Sequence, residues 1–448
     1  MSNNIHLKKG LDIPIQGVAA QKTVKTVVPT TVAVKPTDFK GLVPRLLVKE
    51  GDPVLAGSPL MADKAHPEIL LTSPVSGTVA QIVRGEKRKL LAVVIQADDK
   101  KEAVDFGARK IASLSDAEVR ELLLKSGLWV SLVQRPYGIL ADPALRPKSV
   151  FVSAFNTAPL AADYDYTLAA DVQYVQAGVD VLGKLTDGGV HFSIGERTAC
   201  STPFHKIENV ISHVVSGPHP AGNVGVQISH IAPIQKGETV WTVSLPLLAA
   251  IGKLFATGKL DLSRKIAVTG PAVKDPSYVA ALPGTPVREI VTPDENVRII
   301  GGNVLTGETL SADGWLGFFQ DQVTLLHEGN KKEWFGWAKP FRPKLFSSSA
   351  CYFSWLTPRK KYDMDTNLHG GPRAFVQTKC FEDVTPIEIF PIYLIKACLA
   401  KDIEKMEQFG IYEVLPEDLA LCDYVDPSKN DIQAILAEGI DYMIKEMA

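Results

Sequence analysis

The chain has 448 residues, which is long enough for three or four domains, each with its own hydrophobic core. Hydrophobic residues make up 46% of it, charged residues 22%, and the formal net charge is -2, so no overall positive field favours nucleic-acid binding. No apolar run approaches the roughly 20 residues that a membrane-spanning helix needs, and the N-terminus lacks an export signal, so we expect a cytoplasmic protein whose membrane role is peripheral.

Residues 1–98 have the texture of an N-terminal strand followed by a small all-β module. Between positions 27 and 97, short apolar runs such as VPTTVAV, GLVPRLLV and LLAVVIQA are separated by glycine and proline. This spacing is typical of short strands joined by tight turns, as in a small barrel or sandwich.

Lys64 lies in LMADKAHPEILLTSPVSG (60–77), a stretch that looks like the place where lipoyl and biotinyl domains carry a cofactor on a lysine. A modified lysine stands at an exposed hairpin tip with paired strands on both sides. Here Pro67 interrupts the exit strand, because proline cannot donate to a ladder, and Lys64 lies thirteen residues from both Gly51 and Gly77. We therefore predict an unmodified hairpin, with a loaded carrier lysine as the alternative.

Strand and helix patterns alternate in residues 99–258, which predicts an α/β sheet with crossover helices. Ser115 and Glu118 form a capping box that begins a helix running through Leu124 and stopped by Gly127. Further along, strand-like runs at 149–155, 189–195, 239–244 and 264–270 alternate with helical runs at 171–185 and up to position 255.

Two further regions complete the chain. Residues 259–329 return to turn-rich short strands, which predicts a small α+β domain. In residues 330–448, apolar positions recur at spacings of three and four, so we expect amphipathic helices packed as a helical domain.

The loop SGPHPAGNVGVQISHI (216–231) is the first candidate for a binding site. Prolines and glycines around His219 allow its backbone to lie close to a partner, and we name Gly217, Pro218, His219 and Gly222 as a candidate ligand or partner contact. The glycines do not have the spacing of a dinucleotide fingerprint, and the chain contains no P-loop motif. A structural loop that caps the sheet remains the alternative.

The run KKEWFGWAKPFRPKLF (331–346) interleaves lysine and arginine with aromatic residues. Trp334 and Trp337 are candidates for a docking face on a protein or membrane surface. An ordinary half-buried connection is the alternative, and nucleic-acid stacking is disfavoured by the near-zero net charge.

The sequence offers no catalytic or metal-binding constellation. The five cysteines form no Cys-x-x-Cys pair, and the nine histidines have no ligand spacing, so we predict no metal site and free reduced thiols. Neither the His-Glu-x-x-His motif nor the Gly-x-Ser-x-Gly motif occurs.

Several longer stretches together resemble the A subunit of the bacterial Na+-translocating NADH:quinone oxidoreductase and, more distantly, the C subunit of the Rnf complex and the flavin-binding subunit of complex I. The stretches that carry the resemblance over nearly the whole chain include LKKGLDIPIQG (7–17), EGDPVLAG (50–57), DKAHP (63–67), SGPHPAG (216–222), IGKLFATGKLD (251–261) and LALCDYVDPSK (419–429).

The resemblance implies a barrel-sandwich hybrid, a Rossmann-like α/β domain, an SLBB (ubiquitin-like) domain and a C-terminal helical domain, in that order. It also implies a peripheral subunit, on the cytoplasmic face of the bacterial inner membrane, of a complex that moves electrons from NADH to quinone and exports Na+. NADH, flavins, iron–sulfur clusters and quinone would then be used on or near other subunits. For this chain the resemblance implies a contribution to assembly and a quinone contact, for which the loop with Gly217, Pro218, His219 and Gly222 is the candidate.

Two departures from the relatives imply that this chain holds no cofactor. Where the complex I relative has a glycine-rich phosphate loop, this chain has VQRPYGILAD (133–142), with one glycine and a proline. Where the Rnf relative has four-cysteine cluster motifs, this chain has Cys422 followed by Asp426. An Rnf-like flavin or NAD dehydrogenase remains the rival hypothesis.

Overall fold

The computed structural model describes residues 3–329, 335–336, 342–348, 354–376 and 379–447. The strands are β1 (Asn3–His6), β2 (Thr23–Thr26), β3 (Thr31–Val34), β4 (Pro44–Leu46), β5 (Pro53–Val54), β6 (Pro59–Asp63), β7 (Leu70–Thr72), β8 (Gly77–Arg84), β9 (Leu90–Ala97), β10 (Val133–Arg135), β11 (Ile139–Leu140), β12 (Val150–Ser153), β13 (Val190–Gly195), β14 (Ile211–Ser216), β15 (Val240–Thr242), β16 (Arg264–Thr269), β17 (Ser277–Ala281), β18 (Val297–Gly301), β19 (Glu308–Leu310) and β20 (Gln322–His327). The α-helices are α1 (Asp116–Ser126), α2 (Tyr164–Thr167), α3 (Val172–Leu182), α4 (Val224–Ile231), α5 (Leu245–Thr257), α6 (Val287–Ile290), α7 (Cys380–Val384), α8 (Pro391–Ala400), α9 (Ile403–Gln408), α10 (Ala420–Val425) and α11 (Ile432–Met447).

The barrel module consists of two small antiparallel sheets. One has the order β3-β9-β8-β5 and the other β4-β6-β7. Their apolar faces enclose a core that includes Leu60, Met61 and Val93, all fully buried. Consecutive buried residues, as in β6 and β9, explain why short apolar runs were sufficient to predict these strands.

The α/β domain is built on a seven-stranded sheet with the order β1-β14-β13-β12-β15-β10-β11. Strands β1, β14, β13, β12 and β15 are parallel, and the hairpin β10-β11 adds an antiparallel edge. The predicted capping box is confirmed: the Ser115 side chain accepts from the Glu118 amide, and α1 ends at Gly127 in the left-handed region. The run at 264–270 forms β16, which belongs to the third sheet and not to this one.

The third domain has a six-stranded sheet with the order β19-β18-β20-β16-β17-β2. The N-terminal segment is shared between domains, because β1 pairs with β14 and β2 pairs with β17. Between these strands, Leu7, Ile13 and Ile15 pack into the core of the C-terminal helices α7 to α11. No described helix combines the length and the apolarity needed to cross a membrane.

Candidate functional site

A cleft of about 810 Å³ lies at the carboxyl ends of β12, β13, β14 and β1. Open α/β sheets bind their ligands at this edge, because the loops that follow parallel strands converge there. The walls are formed by residues 154–165 after β12, 195–198 after β13 and 215–218 after β14, together with residues of the N-terminal segment. We treat this cleft as the candidate site of the chain.

The predicted contact loop forms one wall of the cleft. Gly217 and Pro218 line it and are half-buried. Gly217 has φ +137°, and a Cβ at this position would stand 2.6 Å from the carbonyl oxygen of Leu7, so only glycine fits here. The loop at the end of β14 therefore packs closely against the N-terminal segment.

His219 lies behind this wall and is only 3% exposed. Its backbone amide donates to Asp12 Oδ1 at 2.8 Å, its carbonyl accepts from the Leu11 amide at 2.8 Å, and its Nδ1 lies 3.1 Å from Thr157 Oγ1. The same hydroxyl accepts from the Gly222 amide at 2.9 Å. The loop thus brings together the predicted residues, but it places Gly217 and Pro218 at the cleft and His219 in the packing behind it.

Burial also changes the acid–base behaviour of His219. It lowers the pKa of the imidazole to about 4, although Asp12 and Asp418 oppose this effect. The neutral ring is therefore the form present at physiological pH, and its Nε2 is buried without a hydrogen-bond partner in the described part of the chain.

The charged side chains that line the cleft are mostly acidic. The cleft is also lined by His6. The charged residues are four carboxylates and one guanidinium, namely Asp12, Asp163, Asp165, Glu196 and Arg197.

Two of these carboxylates have structural roles at the start of α2. The Asp163 side chain accepts from the Asp165 and Tyr166 amides and so caps the helix. Asp165 accepts from the Thr202 hydroxyl at 2.6 Å, and burial raises the pKa of the Asp165 carboxyl. A cleft lined in this way repels a phosphate or pyrophosphate group, which needs converging amides and cations.

The stretch 133–142 is also unsuited to hold a phosphate. It forms the β10-β11 hairpin, where the Gly138 amide donates to the Gln134 carbonyl at 3.0 Å. The Leu140 amide donates to Lys40 and the Ala141 amide to Leu132. These amides are used within the fold, so they do not converge on an open cavity.

A buried ionic junction connects this hairpin to the C-terminal helices. Arg135, 2% exposed, donates through Nη1 to Asp418 Oδ2 at 2.9 Å and through Nη2 to Glu417 Oε1 at 2.7 Å. Asp418 Oδ2 also accepts from the Leu415 amide at 3.0 Å. Arg135 Nε and Asp418 Oδ1 are buried without a partner among the described residues, so the junction is only partly satisfied.

The buried thiols are poor candidates for cluster ligands. Burial raises the pKa of both Cys398 and Cys422 to about 12, so both are protonated at neutral pH. Cys351 lies outside the described residues. Among those described, no group of three or more histidine, cysteine or acidic side chains is arranged to hold a metal ion.

Lys64 is exposed at the end of β6, yet it is not at the apex of the β6-β7 hairpin. Its backbone amide donates to the Val43 carbonyl beside β4 at 2.9 Å. The preceding Asp63 is buried and accepts from the Val43 and His66 amides, which fixes the turn. The lysine therefore lies beside a neighbouring strand, whereas a swinging arm needs a free tip.

Sequence patterns missed most of the residues that define the cleft and the junction. Those missed are Asp12, Arg135, Thr157, Asp163, Asp165, Glu196 and Asp418. The one available signal was position, since 154–165 and 195–198 directly follow predicted strands whose carboxyl ends share an edge. The predicted docking residues Trp334 and Trp337 lie outside the described residues.

Comparison with known proteins matches residues 5–312, with short gaps, to three family models. Three family models match: the NqrA N-terminal barrel-sandwich hybrid domain over residues 5–98, the NqrA second alpha/beta domain over residues 114–260 and the NQRA C-terminal domain over residues 265–312. These matches confirm the predicted order of the barrel-sandwich, α/β and SLBB domains.

Curated relatives cover the chain from end to end. Proteins named as the A subunit of the Na(+)-translocating NADH-quinone reductase are 37% identical in Yersinia pestis bv. Antiqua and 36% identical in Neisseria meningitidis serogroup A, each over 99% of this chain and 100% of the relative. The relative in Rhodopirellula baltica is 36% identical over 98% of both chains. A solved NAD+-reducing [NiFe]-hydrogenase aligns at 13% identity and a TM-score of 0.34, over 67% of this chain and 55% of its own, which is too weak to support an argument.

Proposed function

Because the chain belongs to the family of the A subunit of the Na+-translocating NADH-quinone reductase, we propose that it works within such a complex without a redox cofactor of its own. It lies at the cytoplasmic face of the membrane as a peripheral component, and its partners are the other subunits. NADH oxidation, flavin and iron–sulfur chemistry and Na+ passage then belong to those subunits.

The observation that carries the cofactor-free proposal is the charge of the cleft. A flavin mononucleotide or dinucleotide places its phosphates where the strand ends meet, and four carboxylates with one guanidinium line that place here. The hairpin amides of Gly138, Leu140 and Ala141 are already bonded within the fold. The residues present do not fit a phosphate-bearing flavin, so no step of the reaction is assigned to one on this chain.

The alternative hypothesis, a carrier protein with a cofactor attached to Lys64, gains no support from the surroundings of that residue. Its backbone amide is bonded to the Val43 carbonyl, so the lysine stands beside its neighbour strand. The other alternative hypothesis, an Rnf-like dehydrogenase, would require a phosphate-binding loop, which neither the cleft nor the hairpin offers.

Cofactor content provides the first test. We expect the purified full chain to lack visible flavin absorbance, to release only substoichiometric FMN and iron on denaturation, and to have the intact mass of the unmodified polypeptide. Stoichiometric FMN, iron or a lipoyl or biotinyl adduct would overturn the proposal.

Removing the chain provides the second test. The complex is purified from cells with and without this chain, and NADH oxidation with an artificial acceptor is assayed separately from quinone reduction. We expect quinone reduction to be lost while NADH oxidation is retained. Full retention of both activities would show that the chain is not a working part of the complex.

We further propose that the uncharged part of the cleft wall, at Gly217 and Pro218, forms a quinone or partner contact, which His219 and Gly222 support from behind. A quinone ring carries no charge, so the acidic side chains that disfavour phosphate do not exclude it. Pro218→Trp would fill this side of the cleft, whereas Pro233→Trp places the same side chain at an exposed position of the same domain. We expect only Pro218→Trp to raise the quinone KM of the complex, and an unchanged KM would remove the contact.

A further inference from the structure

A basic groove lies on the barrel module, away from the cleft. It has a volume of about 660 Å³ and runs between residues 36–46, which include β4, and the residues at the β8-β9 turn. Five of its lining side chains are cationic, namely Arg45, Lys64, Arg84, Arg88 and Lys89, and none of its lining residues is acidic. We call this surface the basic groove.

The cations of the basic groove are exposed and lack acidic partners in the described part of the chain. None of the five forms a salt bridge with a described carboxylate. Of the acids nearby in sequence, Asp63 accepts from the Val43 and His66 amides, Asp38 pairs with Lys35, and Glu50 accepts from the Ile82 amide. Glu86 lies on the β8-β9 turn next to Lys87, a sixth exposed cation. A local excess of positive charge therefore stands on a chain whose net charge is only -2.

The basic groove also has an apolar component. Val43 and Leu47 are 51% and 43% exposed, and they alternate with Arg45 along the β4 segment. Because alternate side chains of a strand share a face, Val43, which lines the groove, and Leu47, which follows the lining segment, lie on the same face as Arg45. Beneath them, Phe39 and Leu90 form a buried floor.

Four of the five cations show no side-chain hydrogen bond to a described residue. The fifth, Arg84, donates through Nη1 to the Arg88 carbonyl at 3.2 Å. A site that reads one defined acidic segment has its charged groups oriented by supporting bonds and packing. Long, unsupported cations beside exposed aliphatic side chains suit an array of mobile phosphates whose attraction does not depend on one geometry.

We propose that the basic groove is a docking surface for anionic phospholipid, which holds the barrel module against the membrane. The headgroup phosphates lie among the cations, and Val43 and Leu47 face the boundary between headgroups and acyl chains. This inference rests on the proposed function, since a peripheral component of a membrane complex works beside such a surface.

Vesicle co-sedimentation of the purified full chain tests the proposal. The vesicles contain either phosphatidylcholine alone or phosphatidylcholine with 30 mol% phosphatidylglycerol. We expect binding to the anionic vesicles only, and a fall in binding as NaCl rises from low salt to several hundred millimolar. Equal binding to both vesicle types, or no binding to either, would overturn the proposal.

A triple charge reversal localises the binding. Arg45→Glu, Arg84→Glu and Arg88→Glu together should weaken anionic-vesicle binding about tenfold or more, because each basic side chain near the surface adds to the attraction. The control reverses three exposed lysines outside the groove, Lys100→Glu, Lys101→Glu and Lys110→Glu, and should bind nearly as the unaltered chain does. An equal loss in both variants would show a general charge effect and overturn the groove.

Assembly of the complex separates this inference from the proposed function. The groove variant, with an unchanged thermal midpoint, should still co-purify with the other subunits from detergent. If it binds vesicles normally but fails to assemble, the groove docks an acidic protein segment, and the lipid proposal fails. If the chain binds anionic vesicles through the groove but is dispensable for both activities, the proposed function fails while the lipid site stands.

Discussion

The buried junction at Arg135 and the basic groove use the same kind of side chain in opposite ways. Arg135 is 2% exposed and bonded to two carboxylates of the C-terminal region, whereas Arg45 and its neighbours are exposed and have no described acidic partner. A buried cation left unpaired is strongly destabilising, while an exposed one is solvated at almost no energetic disadvantage. The first region therefore contributes to folding and domain contact, whereas the second is available for binding.

Removing the Asp418 carboxylate from the junction should have the largest effect on stability. We expect Asp418→Ala to lower the free energy of unfolding by about 3–5 kcal/mol, because Arg135 loses its most buried partner and the Leu415 amide loses its acceptor. Urea unfolding of the full chain measures the effect. The control is Asp441→Ala, whose carboxylate pairs with Lys40 at 2.9 Å but is 64% exposed, and which should cost less than about 1 kcal/mol. Similar losses in both variants would contradict the contrast between buried and exposed charge.

The second prediction concerns the pH dependence of stability. It arises from His219, which lies between the cleft and the junction. Its folded-state pKa of about 4 is below the ordinary value of 6.5, so the unfolded chain binds a proton more readily. The stability contributed by the neutral ring is present above pH 6.5 and is lost as the pH falls toward 4, by about 2 kcal/mol between pH 7 and pH 5.

The non-titrating variant His219→Asn isolates this contribution. It should show a shallower decline in the free energy of unfolding over the same pH range, whatever its stability at pH 7. Urea unfolding of both chains at pH 7, 6 and 5 gives the two slopes. Parallel slopes would mean that His219 is not the buried neutral group that the fold describes.

The smallest effect is expected at Lys64. Because its side chain is exposed and its fold contact is made by the backbone amide, Lys64→Gln should change the free energy of unfolding by less than about 0.5 kcal/mol. It should also leave the quinone reductase activity of the complex unchanged. Loss of activity with normal stability, in Lys64→Gln and also in Lys64→Arg, which keeps the charge of the basic groove but cannot carry a lipoyl or biotinyl group, would reopen the carrier hypothesis.

Elements whose structure depends mainly on neighbouring residues could be predicted from the sequence. The Ser115 and Glu118 capping box, the helix that follows Asp171 and the strands at 149–155 and 189–195 were predicted from spacing alone and are present. Strand β14 and helix α4 were not predicted. They flank the proline- and glycine-rich loop, whose turn residues obscured the patterns of both elements.

The amino-acid sequence was sufficient to predict the order of the barrel-sandwich, α/β and SLBB domains, several strands and helices, and the family, because hydrophobic periodicity, caps and long shared stretches are local properties of the chain. Long-range contacts, which the sequence does not reveal, are what make β1 and β2 complete two distant sheets, bury His219 and bring Asp12, Asp163 and Glu196 to one cleft. The physical reason is that strand pairing, burial and electrostatic fields depend on which remote segments come into contact, and no spacing within a segment encodes its distant neighbours.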